Sequence, residues 1–509
     1  MDEFLRLKIV LDAPSNVSKP ENYRAIQKQP QQRILDDRPR ADRFIPPISL
    51  LYDGFGIFDD VFRGQSSVPG ENDIVEADLW RESNALADQM AGFYDTEAKR
   101  RDAVFRCLER IFRARRDSEA AINSRQMISD GHSKGAHGAI VFRVECKNEL
   151  TNISREPSAE LVSYIASSFK EDVNGEHRAL FHAWRVPALG MTQIGEQILY
   201  VFGLHFLTRS LGAFVQFFGV VMLTPQMRVI PLTPMLPLAT PADDEWSRQR
   251  LFLAFKAASI VISKIETDIL RLIKKTPPEI PLELRGLPSV TGIEMESSRI
   301  EFALTGRYDT ENGYRNLYHA RLIPTGEEIC VKFTQRYSRE LHIFCAEREL
   351  APKLLGFERL PGGWFALAME KVDIVAAPWE IGPLHELDKW KEKISELVDG
   401  FHQEGLVHGD LRLANFIFTK ATPRKMLLID FDWGGKEKEV LARGQLAQEL
   451  HALDDRLDRP ITKEDDDRPV LLGTFRLLEE VAAAVLRATQ DKPDPSGGTE
   501  MEVDSGESS

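Results

Sequence analysis

Hydrophobic and polar positions alternate with two different periods along the first half of the chain. Apolar residues recur at helical spacing within 71–115 and over about 244–274, which predicts helices at both ends of this half. Strand-like apolar runs lie between them, at 139–147 and within 198–236. A helix that begins at Pro157 separates these runs, because proline is favoured in the first turn of a helix. The order of the elements predicts an α/β domain.

The second half of the chain begins with closely spaced strands and continues with helices. Alternating runs predict strands at 299–306, 314–322, 328–334 and 364–370. A short helix at 338–350 is predicted between the last two of these strands. Two amphipathic helices follow, one from Leu384 to Gln403 and one at about 470–488, each with apolar residues along one face.

These patterns predict an α+β protein in which two domains are flanked by polar ends. The ends are rich in Pro, Gln, Ser or acidic residues, a composition that favours disorder, and paired prolines mark the junction between the domains. The predicted organisation is a poorly ordered segment at 1–45, an α/β domain at 46–275, a linker at 276–290, a second domain at 291–489 and a disordered acidic tail at 490–509.

Composition and charge narrow the function classes. The chain has 509 residues, of which 43% are hydrophobic and 28% charged, as in a soluble globular protein. Its net charge of −14 argues against a protein whose main task is to wrap nucleic acid, because the phosphate backbone requires clustered Lys and Arg. A local basic patch stays compatible with this charge.

Cysteine usage and the apolar runs bear on location. The four cysteines are scattered and are interpreted as reduced intracellular thiols. The N-terminus shows no secretory signal. The most apolar region, 198–223, contains His205 and Arg209, so buried strands are favoured there over a membrane helix. We expect an intracellular protein of the cytoplasm or nucleus, without a membrane partner.

Residues 406–435 contain the most informative motif. Asp410 is followed five residues later by Asn415, and then by an apolar run that ends at Asp430. Phosphoryl transfer from ATP needs this set: one carboxylate orients the attacking hydroxyl and accepts its proton. An amide and a second carboxylate hold the metal ions that neutralise the phosphates. The motif therefore indicates a phosphotransferase.

The stretch 301–435 resembles the protein-kinase-like superfamily. The resemblance implies a two-lobed C-terminal domain that uses ATP and Mg²⁺, with Asp410 as the base and with Asn415 and Asp430 as metal ligands. The His-Gly-Asp form of the loop, at 408–410, is similar to aminoglycoside and choline phosphotransferases and to fungal kinase-like proteins. The implied acceptor is a protein Ser/Thr hydroxyl, with a small-molecule hydroxyl as the alternative.

The same resemblance assigns roles around the nucleotide. Lys332, in the run Ile-Cys-Val-Lys-Phe, matches the family's phosphate-binding lysine, which needs an acidic partner. Glu340 is the predicted partner, and Glu347, two turns further along the same helix face, is the competitor. The predicted hinge, whose backbone would meet the adenine, contains Met369, Glu370 and Val372.

Three departures from the family pattern keep a second interpretation open. Gly409 stands where regulated protein kinases carry an arginine that pairs with a phosphorylated loop, so we expect no such switch. The expected phosphate-covering loop has only Gly306 and Gly313. The metal loop reads Asp-Phe-Asp at 430–432, and no Ala-Pro-Glu follows it. A pseudokinase or scaffold is therefore the alternative function.

A different motif lies in the first half. Asp130, then Glu145 and Lys147 on one strand, resemble the core of restriction-endonuclease-like nucleases, in which such residues bind a divalent metal and polarise the scissile phosphate. Strand alternation places Glu145 and Lys147 on one face and Cys146 on the other. The interpretations of this domain are therefore a PD-(D/E)xK nuclease-like fold and an ordinary α/β domain in which Glu145 and Lys147 form a surface ion pair.

Longer phrases connect the two halves. The stretches 45–56, 144–149 and 408–415 look like a group of fungal proteins with a layout similar to Crinkler-type effectors. This resemblance implies a nuclease-like N-terminal region before a kinase-like domain. A metal-dependent nuclease is thus a third hypothesis, although the acidic chain does not favour nucleic acid as a partner.

Overall fold

The structure is a computed structural model, and it describes most of the chain. The described residues are 5–37, 45–65, 73–92, 94–113, 132–134, 140–147, 157–174, 178–194, 197–198, 210–211, 213–223, 226–275, 278–295, 298–308, 316–375, 385–440 and 460–490. Within them helices and strands are mixed, as predicted for an α+β protein.

A mixed sheet forms the centre of the first half. The order of its main strands is His132–Lys134, Ile140–Lys147, Ala188–Ile194, Phe214–Met222 and Met227–Pro231, and Leu236–Pro237 also pairs with Phe214–Met222. Strands Ile140–Lys147 and Ala188–Ile194 are parallel, whereas the other pairs are antiparallel. A parallel pair needs a long crossover, which here contains the helices Pro157–Asn174 and Arg178–Ala183.

Helices cover both faces of this sheet. One hydrophobic cluster joins one face to long helices, and these are Asp53–Phe62, Asp73–Met90, Glu97–Arg113 and Glu245–Lys274. The last of them starts at Asp244, whose carboxylate caps the helix by accepting from Ser247 N–H at 3.0 Å. A second cluster packs helix Pro157–Asn174 against the opposite face. The result is a three-layer α/β arrangement.

The N-terminal segment differs from the sequence prediction. Residues 5–37 form short helices at Lys8–Leu11, Pro14–Val17 and Pro20–Gln27. The apolar side chains of Val17 and Ile26 are buried in the same cluster as helix Pro157–Asn174. Composition suggested poor order here because the segment is polar on average, but its few apolar residues find a tertiary partner.

An antiparallel sheet begins the second half. The order of its strands is Leu354–Leu360, Trp364–Glu370, Glu328–Thr334, Asn316–Leu322, Ser298–Arg307 and Gly292–Met295. The first and last of these strands were not predicted. Helix Arg339–Glu347 follows the central strand and begins at Ser338, whose hydroxyl accepts from Leu341 N–H at 3.3 Å.

A helical core follows this sheet along the chain. Helices His385–Gln403 and Arg468–Gln490 pack together through buried residues such as Ile394 and Phe475. Short elements lie between these helices: the strand pairs Leu406–Val407 with Gly435–Lys436 and Phe416–Phe418 with Met426–Leu428, and the short helices Leu413–Asn415, Phe431–Trp433 and Lys463–Asp467. The motif residues lie in these short elements.

The segment predicted as a linker is packed against the first half. The side chain of Arg285 is almost completely buried and donates to the carbonyl oxygens of Phe181 (2.8 Å) and His182 (2.6 Å). In return, Arg185 donates to the carbonyl oxygens of Arg285 (2.8 Å) and Leu287 (2.7 Å). Two buried guanidinium groups thus fix residues 284–287 in place.

The first half also contacts the sheet of the second half. Gly362 N–H donates to Asp60 Oδ2 at 3.0 Å, and Leu50 belongs to the hydrophobic cluster under that sheet. A Cβ on Gly56 would lie 2.6 Å from the carbonyl oxygen of Pro361, so only glycine allows this approach. Within the described ranges, no helix combines the length and apolarity needed to cross a membrane.

Candidate active site

Lys332 lies in the central strand Glu328–Thr334 and faces two carboxylates. Its Nζ is 2.6 Å from Asp430 Oδ1 and 2.6 Å from Asp432 Oδ1. Burial by itself would lower the pKa of Lys332, but the two carboxylates outweigh burial and raise the pKa above its usual value. The lysine is therefore held as a cation with a net negative surrounding.

The predicted catalytic loop, residues 407–415, presents a buried acid and a buried amide to each other. Asn415 Nδ2 donates to Asp410 Oδ2 at 2.8 Å and to the Asp410 carbonyl oxygen at 2.8 Å. Arg412 Nε lies 3.1 Å from Asp410 Oδ2. Burial raises the pKa of Asp410, and Arg412, His408 and Asn415 partly oppose this rise. The loop therefore holds a carboxylate with increased proton affinity.

Two oxygens of this loop are buried without a hydrogen-bond donor. These are Asn415 Oδ1 and Asp410 Oδ1. Asp410 Oδ1 does have an ion-pair partner, because Arg412 Nε lies 3.0 Å away, but the two atoms do not form a hydrogen bond. A buried acceptor without a donor is costly, so such atoms mark places where a ligand or ion can supply the missing contact. Both oxygens belong to residues predicted from the sequence.

A distant carboxylate shapes the loop. Asp467, which is completely buried, accepts from the main-chain N–H groups of His408 and Gly409, each at 2.7 Å, and lies 3.0 Å from His402 Nε2. Gly409 has φ of +78°, and a Cβ there would lie 3.0 Å from the carbonyl oxygen of Trp433. The backbone conformation and the close contact therefore both require glycine at position 409. This requirement is separate from the lack of an arginine that would pair with a phosphorylated loop.

The metal loop, residues 429–435, is tied directly to the catalytic loop. Ile429 N–H donates to the Asn415 carbonyl oxygen at 2.9 Å, and His408 Nε2 lies 3.3 Å from the Ile429 carbonyl oxygen. Asp430 follows with φ of +67°, in the left-handed region that Asp tolerates better than most residues. These contacts bring Asp430 to the same cleft as Asn415.

The helix after the lysine strand does not supply the expected partner. Glu340 and Glu347 are both exposed, and the side chain of Lys332 pairs with Asp430 and Asp432 instead. The predicted Lys332–Glu340 ion pair is therefore not formed in this structure. The physical reason is the rotation of the helix, whose inward positions are taken by uncharged residues, namely Leu341, His342 and Cys345.

His342 connects this helix to the metal loop. Its ring stacks on Phe431 at 4.6 Å. Its Nε2 lies 2.7 Å from the Pro352 carbonyl oxygen and so carries the proton, which leaves Nδ1 to accept from Tyr337 Oη at 2.7 Å. Burial lowers the pKa of His342 to about 4. The ring is thus a neutral spacer between the helix and the metal loop.

The predicted hinge lies at the end of strand Trp364–Glu370. The Glu370 N–H donates to the Lys353 carbonyl oxygen at 3.0 Å, and the Lys353 N–H donates to Glu370 Oε1 at 2.8 Å. Met369 pairs with Cys330 of the lysine strand. The backbone N–H of Glu370 already donates to Lys353, so it is not available to an adenine. Contact with an adenine through this stretch would therefore fall to the backbone of Val372 and its neighbours.

The predicted phosphate-covering loop is only partly described. Gly306 belongs to strand Ser298–Arg307, at a register irregularity between Leu304 and Gly306. Tyr308 stacks on His319 with ring centroids 3.6 Å apart. Gly313 lies outside the described residues. The loop as a phosphate cradle therefore stays a prediction.

The nuclease-like motif of the first half is also partly described. Asp130 lies outside the described residues, and for Lys147 only the backbone, at the end of strand Ile140–Lys147, is described. Glu145 is buried, 3.8 Å from Arg143, whose guanidinium lies 4.0 Å from the centre of the Tyr164 ring. Glu145 therefore sits in a packed polar cluster between strand and helix.

The second-half cleft suits a magnesium ion that is bound partly by water and phosphates, rather than a metal held only by protein side chains. In the described part of the chain, no three His, Cys, Asp or Glu side chains are grouped to hold a metal. Mg²⁺ usually takes one or two carboxylates and completes its shell with water and substrate phosphates. The Asp430 carboxylate and the unpartnered Asn415 Oδ1 supply suitable oxygen donors. The residues present therefore fit this ion.

Sequence reasoning missed Asp432, Thr334 and Asp467. The replacement of Gly by Asp in the metal loop was noted, but only as a departure. The acidic run at 464–467 was the one signal for Asp467, and nothing in the run distinguishes this residue from the three acidic residues before it. Thr334 Oγ1 lies 3.1 Å from Asp432 Oδ2, a contact that no spacing rule predicts.

No family model matches the chain, and no curated protein is similar to it. Two of the similar solved structures are protein kinases. The Cydia pomonella granulovirus kinase PK-1 is 14% identical over 27% of this chain and 55% of that chain, with a TM-score of 0.23. The chain thus spans about half the length of that kinase. The PknI kinase domain of Mycobacterium tuberculosis is 16% identical over 38% of this chain and 79% of that domain, with a TM-score of 0.26. Similarity this low carries no argument about function.

Proposed function

We propose that the chain is an ATP-dependent phosphotransferase whose second half is protein-kinase-like and two-lobed. One observation carries the proposal: three separate parts of the chain, the strand with Lys332, the loop with Asp410 and Asn415, and the loop with Asp430, meet in one cleft. Two buried oxygens of that cleft, Asp410 Oδ1 and Asn415 Oδ1, lack a donor. Mg²⁺ would supply charge neutralisation for the phosphates of ATP.

Each residue has a role that its surroundings support. The Lys332 cation, held at 2.6 Å from two carboxylates, binds the α- and β-phosphates once they enter the cleft. Asp410, whose pKa is raised by burial, orients the acceptor hydroxyl and takes its proton. Asn415 and Asp430 would hold the metal through their side-chain oxygens. Protein Ser/Thr is the proposed acceptor, with a small-molecule hydroxyl as the alternative.

A labelled-phosphate assay tests the proposal. Full-length protein is incubated with Mg²⁺ and γ-phosphate-labelled ATP, alone and with a general protein acceptor. Asp410→Asn and Asp430→Asn are expected to lower label transfer by about 100-fold or more. Asp388→Asn is the matched control, because Asp388 is exposed on helix His385–Gln403, and it should transfer label as the wild type does.

The alternative functions predict different outcomes. A pseudokinase would transfer no label, yet ATP at about 100 times its dissociation constant would stabilise the fold by about 2.7 kcal/mol. No transfer and no stabilisation would refute the proposal altogether. A nuclease using Asp130, Glu145 and Lys147 would cleave DNA or RNA with Mg²⁺ or Mn²⁺, and Lys147→Ala would abolish that cleavage.

A further inference from the structure

We propose that Asp432 is the residue that positions Lys332 for the nucleotide phosphates, in place of a carboxylate on helix Arg339–Glu347. The inference rests on the proposed phosphotransferase function and adds a positioning residue to it. It gives the Asp-Phe-Asp form of the metal loop a chemical reason, since a Gly at position 432 offers no carboxylate.

Both oxygens of the Asp432 carboxylate are engaged by the lysine strand. Oδ1 lies 2.6 Å from Lys332 Nζ, and Oδ2 lies 3.1 Å from Thr334 Oγ1. Lys332 and Thr334 are two residues apart and point to the same face of the strand. The carboxylate is thereby fixed in two directions by the strand that carries the lysine. A one-point contact would leave it free to rotate.

The two carboxylates around Lys332 are suited to different tasks. Asp430 also lies 2.6 Å from Lys332 Nζ, but it is the proposed metal ligand. With a divalent cation and phosphates bound, part of the Asp430 charge would be directed to the metal. Asp432 would keep its contacts with Lys332 and Thr334. The lysine would then stay oriented while it exchanged one carboxylate for the phosphates.

The helix that would otherwise supply a carboxylate is locked in the wrong rotation for this task. His342 faces inward, stacked on Phe431 at 4.6 Å and hydrogen-bonded to the Pro352 carbonyl oxygen at 2.7 Å. Turning Glu340 or Glu347 toward Lys332 would remove that ring from its buried site. The cost of breaking these buried contacts opposes such a rotation.

A double-mutant cycle on ATP affinity tests the inference. Dissociation constants of a non-hydrolysable ATP analogue are measured with Mg²⁺ by displacement of a fluorescent ATP analogue, for wild type, Asp432→Asn, Lys332→Met and the double variant. We expect each single change to weaken ATP about 10-fold and the double variant to be no weaker than Lys332→Met. A merely structural role for Asp432 would instead make the two losses multiply, and that result would overturn the inference.

Further variants keep the test independent of folding. Thr334→Val removes only the hydroxyl beside Asp432 and should weaken ATP in the same direction by about threefold. Glu340→Gln and Glu347→Gln are the matched controls and should bind like wild type. Melting curves verify that each variant is folded. If Asp432→Asn does not fold, the same cycle is run with Thr334→Val.

The outcomes separate this inference from the proposed function. ATP binding or label transfer by the wild type, combined with an unchanged Asp432→Asn, overturns the inference and leaves the proposed function standing. Loss of affinity in Glu340→Gln but not in Asp432→Asn does the same, since the helix would then supply the partner. No ATP binding by the wild type overturns both.

Discussion

Each half of the molecule contains a buried carboxylate beside an arginine, and the two pairs have different surroundings. Asp410 lies 3.0 Å from Arg412, and Glu145 lies 3.8 Å from Arg143. The Asp410–Arg412 pair belongs to a cleft in which Asp410 Oδ1 and Asn415 Oδ1 accept no hydrogen bond. In the same cleft, Asp430 and Asp432 surround Lys332. Arg143 instead packs on the Tyr164 ring under a helix.

The difference teaches that a buried acid–base pair is not by itself a site. Structural ion pairs perturb and bury carboxylates as catalytic ones do. Buried polar atoms without a hydrogen-bond partner occur in both halves. What distinguishes the Asp410 pair is that the unpartnered Asn415 Oδ1 lies beside it, in a cleft that also holds Lys332 and two further carboxylates. The following predictions test whether this distinction holds, from the largest expected effect to the smallest.

The largest effect is expected when the buried side-chain amide of Asn415 is removed, and a matched change in the first half should have almost none. Asn415→Leu removes Oδ1, which has no donor, and the contact to Asp410, so label transfer should fall by about 100- to 1000-fold. Gln193→Met is the matched change, because Gln193 is also buried, with an unpartnered Nε2. It should leave transfer within about twofold. Equal losses in the two variants would contradict the comparison.

The next effect concerns the boundary between the halves. Arg285→Ala removes a donor from the carbonyl oxygen of Phe181 and one of two donors from that of His182, which keeps the Ile280 N–H. It also empties the space of a buried side chain, so the free energy of unfolding should fall by about 2–4 kcal/mol. Urea denaturation measures this loss. Arg468→Ala is the control: this arginine is about half exposed and pairs with Asp399 on the surface, where a pair contributes about 1 kcal/mol or less. A loss no larger than that of the control would mean that residues 284–287 are not fixed by this contact.

Sequence reasoning named residues that the proposed chemistry would require and missed those that only the fold selects. Lys332, Asp410, Asn415 and Asp430 could be named because phosphoryl transfer, the proposed reaction, needs those side chains in that order. Asp467 could not, because it lies 59 positions from His408, the residue whose N–H it accepts, and no local rule connects such positions.

Element prediction followed the same division. The bounds of strands Glu328–Thr334 and Trp364–Glu370 agree with the predicted ones, because each short run rich in apolar residues follows turn residues, Pro-Thr-Gly at 324–326 and Pro-Gly-Gly at 361–363. Strand Ala188–Ile194 is buried throughout its length, so it has no alternation to read. The sequence could not predict which face of helix Arg339–Glu347 points inward, because Glu340 and the inward-facing residues all lie at positions compatible with a helix. Packing against Phe431 decides the orientation.

A third prediction uses acid to unfold the second half before the first. The pKa of His342 is lowered to about 4 by burial, against about 6.5 in an unfolded chain. The unfolded state therefore binds the proton first, so the stabilisation is complete above about pH 6.5 and is lost as the pH falls toward 4. The loss is on the order of 3 kcal/mol.

Urea denaturation from pH 7.5 to 4 measures this slope. His342→Gln cannot titrate in that range and should show a flatter dependence. Hydrogen exchange should show helix Arg339–Glu347 losing protection before helix Glu245–Lys274 of the first half. Parallel slopes for the wild type and His342→Gln would contradict the assignment of this acid sensitivity to His342.

The smallest effect is a gain in stability at the proposed base. Burial raises the pKa of Asp410 in the folded state, so folding disfavours the charged carboxylate. Asp410 therefore stabilises the fold only at low pH, where it is protonated, and the charged group destabilises the fold at pH 7.5. Asp410→Asn removes that charge and lets the new amide oxygen accept from Asn415. The melting temperature at pH 7.5 should therefore rise by a few degrees, while label transfer is lost. Glu145→Gln should not raise the melting temperature, because Glu145 is an ion-pair partner of the buried Arg143. Neutralising Glu145 leaves the charge of that arginine less compensated. A fall in both variants would show that Asp410, like Glu145, is a structural ion-pair partner.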